Sequence, residues 1–320
     1  MERQSSISAS ELSLALAGLA LFLIAFDAVG GWVLRGAYQK STVNPIYRAL
    51  LGNPETVVLG SSTAMSGLSP SALGGRAYNA SENGQTIFYA AAFLRNLPLD
   101  HSLKRVIFGF DVQDFIRGHK SEFMKYLKTL APLAEIDSEL MKKYELNDPL
   151  ARYKYVSGLY PFQGRARRVL FEWWRPKNAG NGFTFFEGYE KRNPNRRPED
   201  YATLLEAPEE SYEALRQLVD LAGKRNLQLI VVSPPWRDQL IPARQKRYSR
   251  IMKTAQKIFQ TSAVCNLTEI SSSVIDKLIG DETKFFDRRH LNGTGAEIYS
   301  RFIAQLIANR CGELSRLSSP

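Results

Sequence analysis

The sequence predicts an α/β fold, a mostly parallel sheet covered by helices on both faces, and three features carry that expectation. Aliphatic and β-branched runs recur at residues 56–62, 105–111 and 227–232, each about the length of a buried strand. Each run stops at a breaker: Gly60 before Ser61 and Ser62, Gly109, and the pair Pro234-Pro235. Segments with helical periodicity and crossover length separate the runs, and that alternation produces a parallel sheet.

Taken in order, the chain begins with an apolar stretch, residues 12–34, interrupted by Asp27 and a Gly30-Gly31-Trp32 segment. About 20 such residues suit a single membrane span. No small-residue cleavage site precedes the next polar stretch, so residues 1–40 read as an uncleaved anchor rather than a removed signal peptide. Asp27 is costly in hydrocarbon and is expected near the far interface, with Trp32 as the interfacial aromatic. Arg3 precedes the span while Arg35, Lys40 and Arg48 follow it, which argues mildly against export of the carboxyl-terminal part.

The α/β domain, residues 41–320, opens after Asn44-Pro45, and its first strand runs into the Gly60-Ser61-Ser62 turn. Residues 78–81 read as a short second strand leading to a turn at Gly84, and 86–95 as a helix. The third strand is 105–111. Helical periodicity returns at 209–225, before the clearest strand, 227–232. A long polar helix at 242–260 precedes a last strand at 263–267, and 296–309 closes as an amphipathic helix. Between the third and fourth strands lies a large insertion, about 114–208, whose first half reads as helical. Its second half carries Arg165, Arg167, Arg168, Phe171, Trp173, Trp174 and Arg175, then Phe183, Phe185, Phe186 and Tyr189. That composition suits a surface for an extended polymer or a membrane interface. It equally suits a subdomain whose aromatics form a small core of their own and whose arginines are solvated.

With 44% hydrophobic and 11% aromatic residues the chain buries a core, which excludes disorder. A net charge of +10 and a pI of about 9.5 favour anionic partners such as phosphate headgroups or an acidic polymer. No zinc, helix-turn-helix or RNP signature accompanies the charge, so nucleic acid is not the expected partner. Cys265 and Cys311 are the two cysteines; they either pair in an oxidising compartment or remain buried thiols, and their spacing is not that of metal ligands. The glycine-rich turns lack a phosphate-binding loop, so no cofactor is expected.

A hydroxyl just past the end of a parallel strand sits at the carboxyl edge of the sheet, where open α/β folds bind ligands. Gly60-Ser61-Ser62 is by itself also an ordinary turn. Far along the chain, Asp287-Arg288-Arg289-His290-Leu291-Asn292 supplies one of only three histidines, three residues after an acid. A serine needs a base to remove its proton, and the base needs an acid to hold its tautomer. Ser62, His290 and Asp287 supply those three roles.

These blocks resemble the SGNH/GDSL hydrolase superfamily. Its nucleophile lies in a Gly-Asp-Ser turn after the first strand, matched here by Gly60-Ser61-Ser62. Its second block is matched by Asn79-Ala80-Ser81-Glu82-Asn83-Gly84-Gln85-Thr86, and its last, Asp-x-x-His, by Asp287 and His290, continued by Asn292 and Gly295. The resemblance implies a flavodoxin-like three-layer sandwich, with the triad Ser62, His290 and Asp287 and an oxyanion site from the backbone N–H groups of Ser62 and Gly84. Ser61, Asn83, Asp111 and Asn292 are expected to line the site. One block departs: where the superfamily has Gly-x-Asn-Asp, this chain reads Gly109-Phe110-Asp111-Val112. An ionised Asp111 repels an oxyanion, so it either leaves the site to the two backbone donors or holds the turn.

With its anchor and its Gly-Ser-Ser, the chain is most similar in character to membrane-anchored polymer-acylation proteins, of the D-alanyl teichoic acid transfer and alginate O-acetylation type. That similarity implies a domain on the extracytoplasmic, periplasmic side of the cytoplasmic membrane, against the mild charge asymmetry. It also implies a polysaccharide or teichoic-acid-like acceptor and a multi-pass membrane acyltransferase as partner. The expected function is serine-dependent transfer of an acetyl or other acyl group through a Ser62 acyl-enzyme, by an O-acyltransferase or an esterase. The alternative is a catalytically weak protein of the same fold that binds polymer or assembles an acylation complex.

Overall fold

The computed structural model describes residues 8–112, 150, 156–175, 181–184, 186–187, 207–237, 242–261, 264–268 and 272–312. Along the chain, α1 (Ala9–Gln39) and α2 (Pro45–Leu50) precede β1 (Thr56–Gly60). Two short helices, α3 (Ser62–Gly67) and α4 (Pro70–Leu73), lead to β2 (Ala77–Asn79), α5 (Ile87–Arg95) and β3 (Arg105–Gly109). Next come α6 (Ala166–Trp174), α7 (Glu209–Lys224), β4 (Gln228–Val232), α8 (Pro242–Phe259) and β5 (Val264–Leu267). The last helices are α9 (Ser273–Gly280) and α10 (Gly293–Leu306), which runs into a π-helical turn, Ile307–Cys311. The chain divides into two compact units.

The larger unit, Pro45–Asn147 with Asn178–Pro320, holds the sheet. Its five strands are all parallel in the order β2-β1-β3-β4-β5, which is compatible with a flavodoxin-like fold. Alternate side chains of each strand face opposite ways. Val57, Leu59, Val106, Phe108, Leu229 and Val231 therefore pack into one core with residues of α5, α7 and α8. Val58, Ile107, Ile230 and Val232 share the other with α9 and α10. Burial on both faces is why these strands read as continuous apolar runs rather than as an alternation.

Gly60, Gly109 and Val232 stand in register, so β1, β3 and β4 end in one row. The next residues of β1 and β3, Ser61-Ser62 and Phe110-Asp111, leave the sheet side by side at its carboxyl edge, where the strand order reverses direction. Two glycines are required there. Gly60 has φ 149°, and a Cβ on it would lie 2.7 Å from the Ala64 Cβ; a Cβ on Gly109 would lie 2.5 Å from the same atom. Without side chains at either position, α3 starts directly after β1 and Ala64 sits over both strand ends.

Cys265 of β5 and Cys311 at the end of the π-helical turn form a disulfide across 46 residues, and both are buried. Closing a loop of that length stabilises a fold by about 2–4 kcal/mol. Reduction, or Cys311→Ala, is therefore expected to lower the melting temperature by several degrees, read by circular dichroism with and without reductant.

The smaller unit, Met1–Asn44 with Asp148–Lys177, is built on α1. This helix has 31 residues and is long and apolar enough to cross a membrane. Its side chains from Leu12 to Phe26 are all exposed. The helix is covered only from Asp27 onwards. The Asp27 carboxylate accepts hydrogen bonds from Ser157 Oγ (2.6 Å) and from the N–H groups of Gly158 (2.7 Å) and Leu159 (3.2 Å). Gly31 permits that approach, because a Cβ on it would lie 2.5 Å from the Gly158 backbone. Higher up, Leu34, Ala37 and Tyr38 of α1 bury against Phe162 and Val169.

Among the described residues, the insertion's aromatics do not form a core of their own. Phe162 packs on α1, while Phe171, Trp173 and Trp174 are 54%, 50% and 83% exposed. A core needs apolar side chains on a common face, and α6 turns only Val169 and the Arg168-paired Glu172 inward, the latter also bonded by Thr42 Oγ1. The expected helical first half, together with Phe185 and Tyr189, lies outside the described residues. One consequence concerns truncation. Cutting before Asp27 should free the chain from a carbonate-washed membrane and leave it folded. Cutting after Lys40 also removes Leu34, Ala37 and Tyr38, at about 1.5–3 kcal/mol for each large side chain unburied. The longer deletion is expected to melt earlier and to aggregate.

Candidate active site

Ser62 is the first residue of α3, and it is half-buried between the buried Ser61 and Thr63. The short helix is held by Asn79 at the end of β2. The Asn79 Nδ2 donates to the carbonyls of Ala64 (3.0 Å) and Leu68 (2.8 Å), and its Oδ1 accepts from Ser81 N–H at 3.0 Å. One amide thus ties the helix carrying Ser62 to the start of the loop carrying Gly84. Gly84 takes φ 72°, a left-handed conformation that favours glycine. Its neighbour Glu82 is ion-paired with the partly buried Arg48, and Asn83 is exposed.

Asp287 and His290 lie on a tight loop pinned by buried Phe285 and Leu291, which bridge antiparallel at its base. Asp287 Oδ1 accepts the N–H groups of Arg289 (2.7 Å) and His290 (2.8 Å), closing an Asx-type turn. That closure aims Oδ2 at His290 Nδ1, 2.7 Å away. The three-residue spacing is what lets one carboxylate cap the turn and hold the ring together. On its far side, His290 Nε2 lies 2.8 Å from Ser62 Oγ. A carboxylate accepts only, so Nδ1 carries the proton and Nε2 presents its lone pair to the serine O–H. Burial pushes the Asp287 carboxyl up, but the hydrogen bond from His290 and those from the two backbone amides outweigh it. The group sits below its ordinary value of 3.8 and stays ionised.

The remaining residues read from the sequence divide by position. Asn292 is the N-cap of α10: its Oδ1 accepts from Gly295 N–H at 3.1 Å and its Nδ2 donates to the Thr283 carbonyl at 2.7 Å, so its amide shapes the loop. Ser61 is buried next to Ser62, with its Oγ 3.2 Å from Thr63 Oγ1. Asp111 is charge-compensated: its Oδ2 accepts from an Arg289 guanidinium N–H at 2.8 Å and from Thr63 Oγ1 at 3.2 Å. Between these strand ends, Ser61, Thr86 and Asp111 help line a cavity of about 10 Å³, room for one water and too small for a substrate.

Arg289, Thr63 and Phe286 had no sequence signal that marked them, and Phe186 was marked only as one of the insertion's aromatics. Phe186, from the second half of the insertion, stacks on Phe286 with ring centroids 4.6 Å apart and meets the His290 ring edge-on at 5.3 Å. Its carbonyl accepts from Gly293 N–H at 3.3 Å. Phe186 therefore puts an apolar wall beside the imidazole. Compared with protein-family models and with curated proteins, the chain matches none.

Proposed function

We propose that this chain is a membrane-anchored serine acyltransferase or esterase of the SGNH type, acting through a Ser62 acyl-enzyme on a cell-surface or exported polysaccharide. The observation that carries the reading is the continuous Ser62 Oγ–His290 Nε2–Nδ1–Asp287 Oδ2 relay at 2.8 and 2.7 Å. In the first half-reaction, Ser62 Oγ attacks the acyl carbonyl while Nε2 takes its proton. The backbone N–H groups of Ser62 and Gly84 face the oxyanion, and collapse expels the donor's leaving group, which takes the proton from Nε2. A sugar hydroxyl or water then gives its proton to Nε2 and attacks the ester carbon, and the departing Ser62 Oγ takes that proton back from Nε2.

The apolar α1 supports the anchor. The Cys265–Cys311 disulfide favours an oxidising compartment and so an extracytoplasmic domain. The net charge of +10 suits an acidic polymer or the headgroup surface beside which the domain would work. The test uses the full chain in detergent with a fluorophosphonate and then an activated acetate ester. A stoichiometric adduct mapped to Ser62, followed by acetyl release to water or to an added oligosaccharide, is the expected result, and the acceptor that takes the acetyl separates transferase from esterase. A folded chain that forms no adduct makes it a binding or assembly subunit instead.

A further inference from the structure

The bonds inside the Asp287–His290 loop orient the imidazole but do not place it. Asp287 and His290 sit on one turn, so their mutual contact moves with that turn and says nothing of its distance from Ser62. A link outside the turn must set that distance, and Asp111 provides one. Its side chain is 8% exposed and follows the end of β3. A single oxygen, Oδ2, accepts from Arg289, the residue before the base, and from Thr63, the residue after the nucleophile. Arg289 is itself only 19% exposed, and its backbone N–H is one of the two that close the Asp287 turn. The path from nucleophile to base thus runs Ser62–Thr63–Asp111–Arg289–His290, across 178 residues between Asp111 and Arg289.

We infer that the Asp111–Arg289 ion pair is a latch that seats the His290 loop against the β1–α3 turn, making both positioning residues for the Ser62 reaction. The inference rests on the acyl-enzyme reading. It explains a carboxylate where an amide donor was expected. An asparagine would offer a hydrogen bond but no charge to a guanidinium that is largely out of water, whereas a carboxylate compensates it. With Arg289 bound, Asp111 no longer presents a bare negative charge to the oxyanion. A solvated ion pair would do little; this one is mostly desolvated and is shared with a hydroxyl from the nucleophile's helix.

The test measures Ser62 phosphonylation by a fluorophosphonate in full-length Asp111→Asn, Arg289→Met, Arg289→Lys and the Asp111→Asn/Arg289→Met double variant. Displacing a reacting group by about 1 Å slows reaction by as much as about 100-fold, so each of the first two variants should react about 10- to 100-fold more slowly. The double should be no slower than the slower single, since either change opens the same latch. Arg289→Lys, which keeps one charged donor, should recover to within about threefold of the wild type. The downfield His290 Nδ1–H proton signal should persist throughout, because the turn itself stays closed. Rates within about twofold of wild type, multiplied losses in the double, or loss of that signal in the singles would overturn the latch. A readout independent of activity separates this from the acyl-enzyme reading: the His290 ring signals should shift on Ser62→Ala in the wild-type background and not in the Asp111→Asn background. If wild-type Ser62 is unreactive, the acyl-enzyme reading fails, and the presence or absence of that background dependence still upholds or overturns the latch.

Discussion

Ser62→Ala is expected to reduce acyl-enzyme formation by about 10⁶-fold, the scale on which removing the nucleophile of a serine triad acts. The fold should hardly notice. The Ser62 hydroxyl bonds to His290 Nε2, whereas α3 is held by other groups: Asn79 on its carbonyls, Ser300 Oγ on the Gly67 carbonyl, and Ala64 over Gly60 and Gly109. Ser61→Ala is the matched control, one residue away in the same turn. Its Oγ contacts Thr63 Oγ1 at 3.2 Å, and Thr63 keeps its bond to Asp111, so the change removes one neutral hydrogen bond worth about 0.5–1.5 kcal/mol. Adduct formation and melting temperature measured on both variants decide the matter. Comparable activity losses for Ser61 and Ser62 would reduce the turn to structure and end the nucleophile reading.

The strands were legible because a parallel sheet buried on both faces must be written in consecutive apolar residues, and 57–59, 106–108 and 229–232 are. The short helices α2, α3 and α4 were not, since six or four residues complete too few turns for a period to emerge. The expected first strand accordingly ran on to Ser62, which is already helical. The meeting of Ser62, His290 and Asp287 was legible for a different reason. Asp287 and His290 are coupled locally, by a turn that a three-residue spacing encodes, and Ser62 follows a strand end that glycine marks. Arg289 and Thr63 carry no such mark: an arginine beside a histidine and a threonine in a turn are ordinary, and only the fold brings them to one oxygen of Asp111. The insertion was the least legible part. Aromatic and basic residues at similar spacing end up exposed on α6 at Trp174, and stacked against Phe286 beside His290 at Phe186. Which of these happens depends on the surface each meets, not on local pattern.

Asp287→Asn is expected to lower the rate by about 10⁴-fold while leaving the loop closed. The two backbone N–H groups of Arg289 and His290 demand an acceptor at the position of Oδ1, so the amide oxygen must take that place. Its NH₂ is then forced to face His290 Nδ1, where Oδ2 stood. Two donors cannot share that contact, so Nδ1 must give up its proton and accept. The ring's remaining proton moves to Nε2, which then donates toward Ser62 Oγ and cannot receive its proton. Geometry survives and the base is lost, so substrate binding should change far less than turnover. The stability consequence follows from the carboxyl's depressed value. The ionised Asp287 stabilises the fold above the ordinary 3.8 and loses that contribution as the pH falls through the lower folded value. The wild type should therefore lose stability on acidification below about pH 4 more steeply than Asp287→Asn, which has no such group to protonate. Denaturant melts at pH 3 and pH 7, with ester turnover at neutral pH, test both halves. Near wild-type turnover in Asp287→Asn would mean that His290 is not the base, and the relay from Asp287 to Ser62 would be a hydrogen-bonded scaffold only.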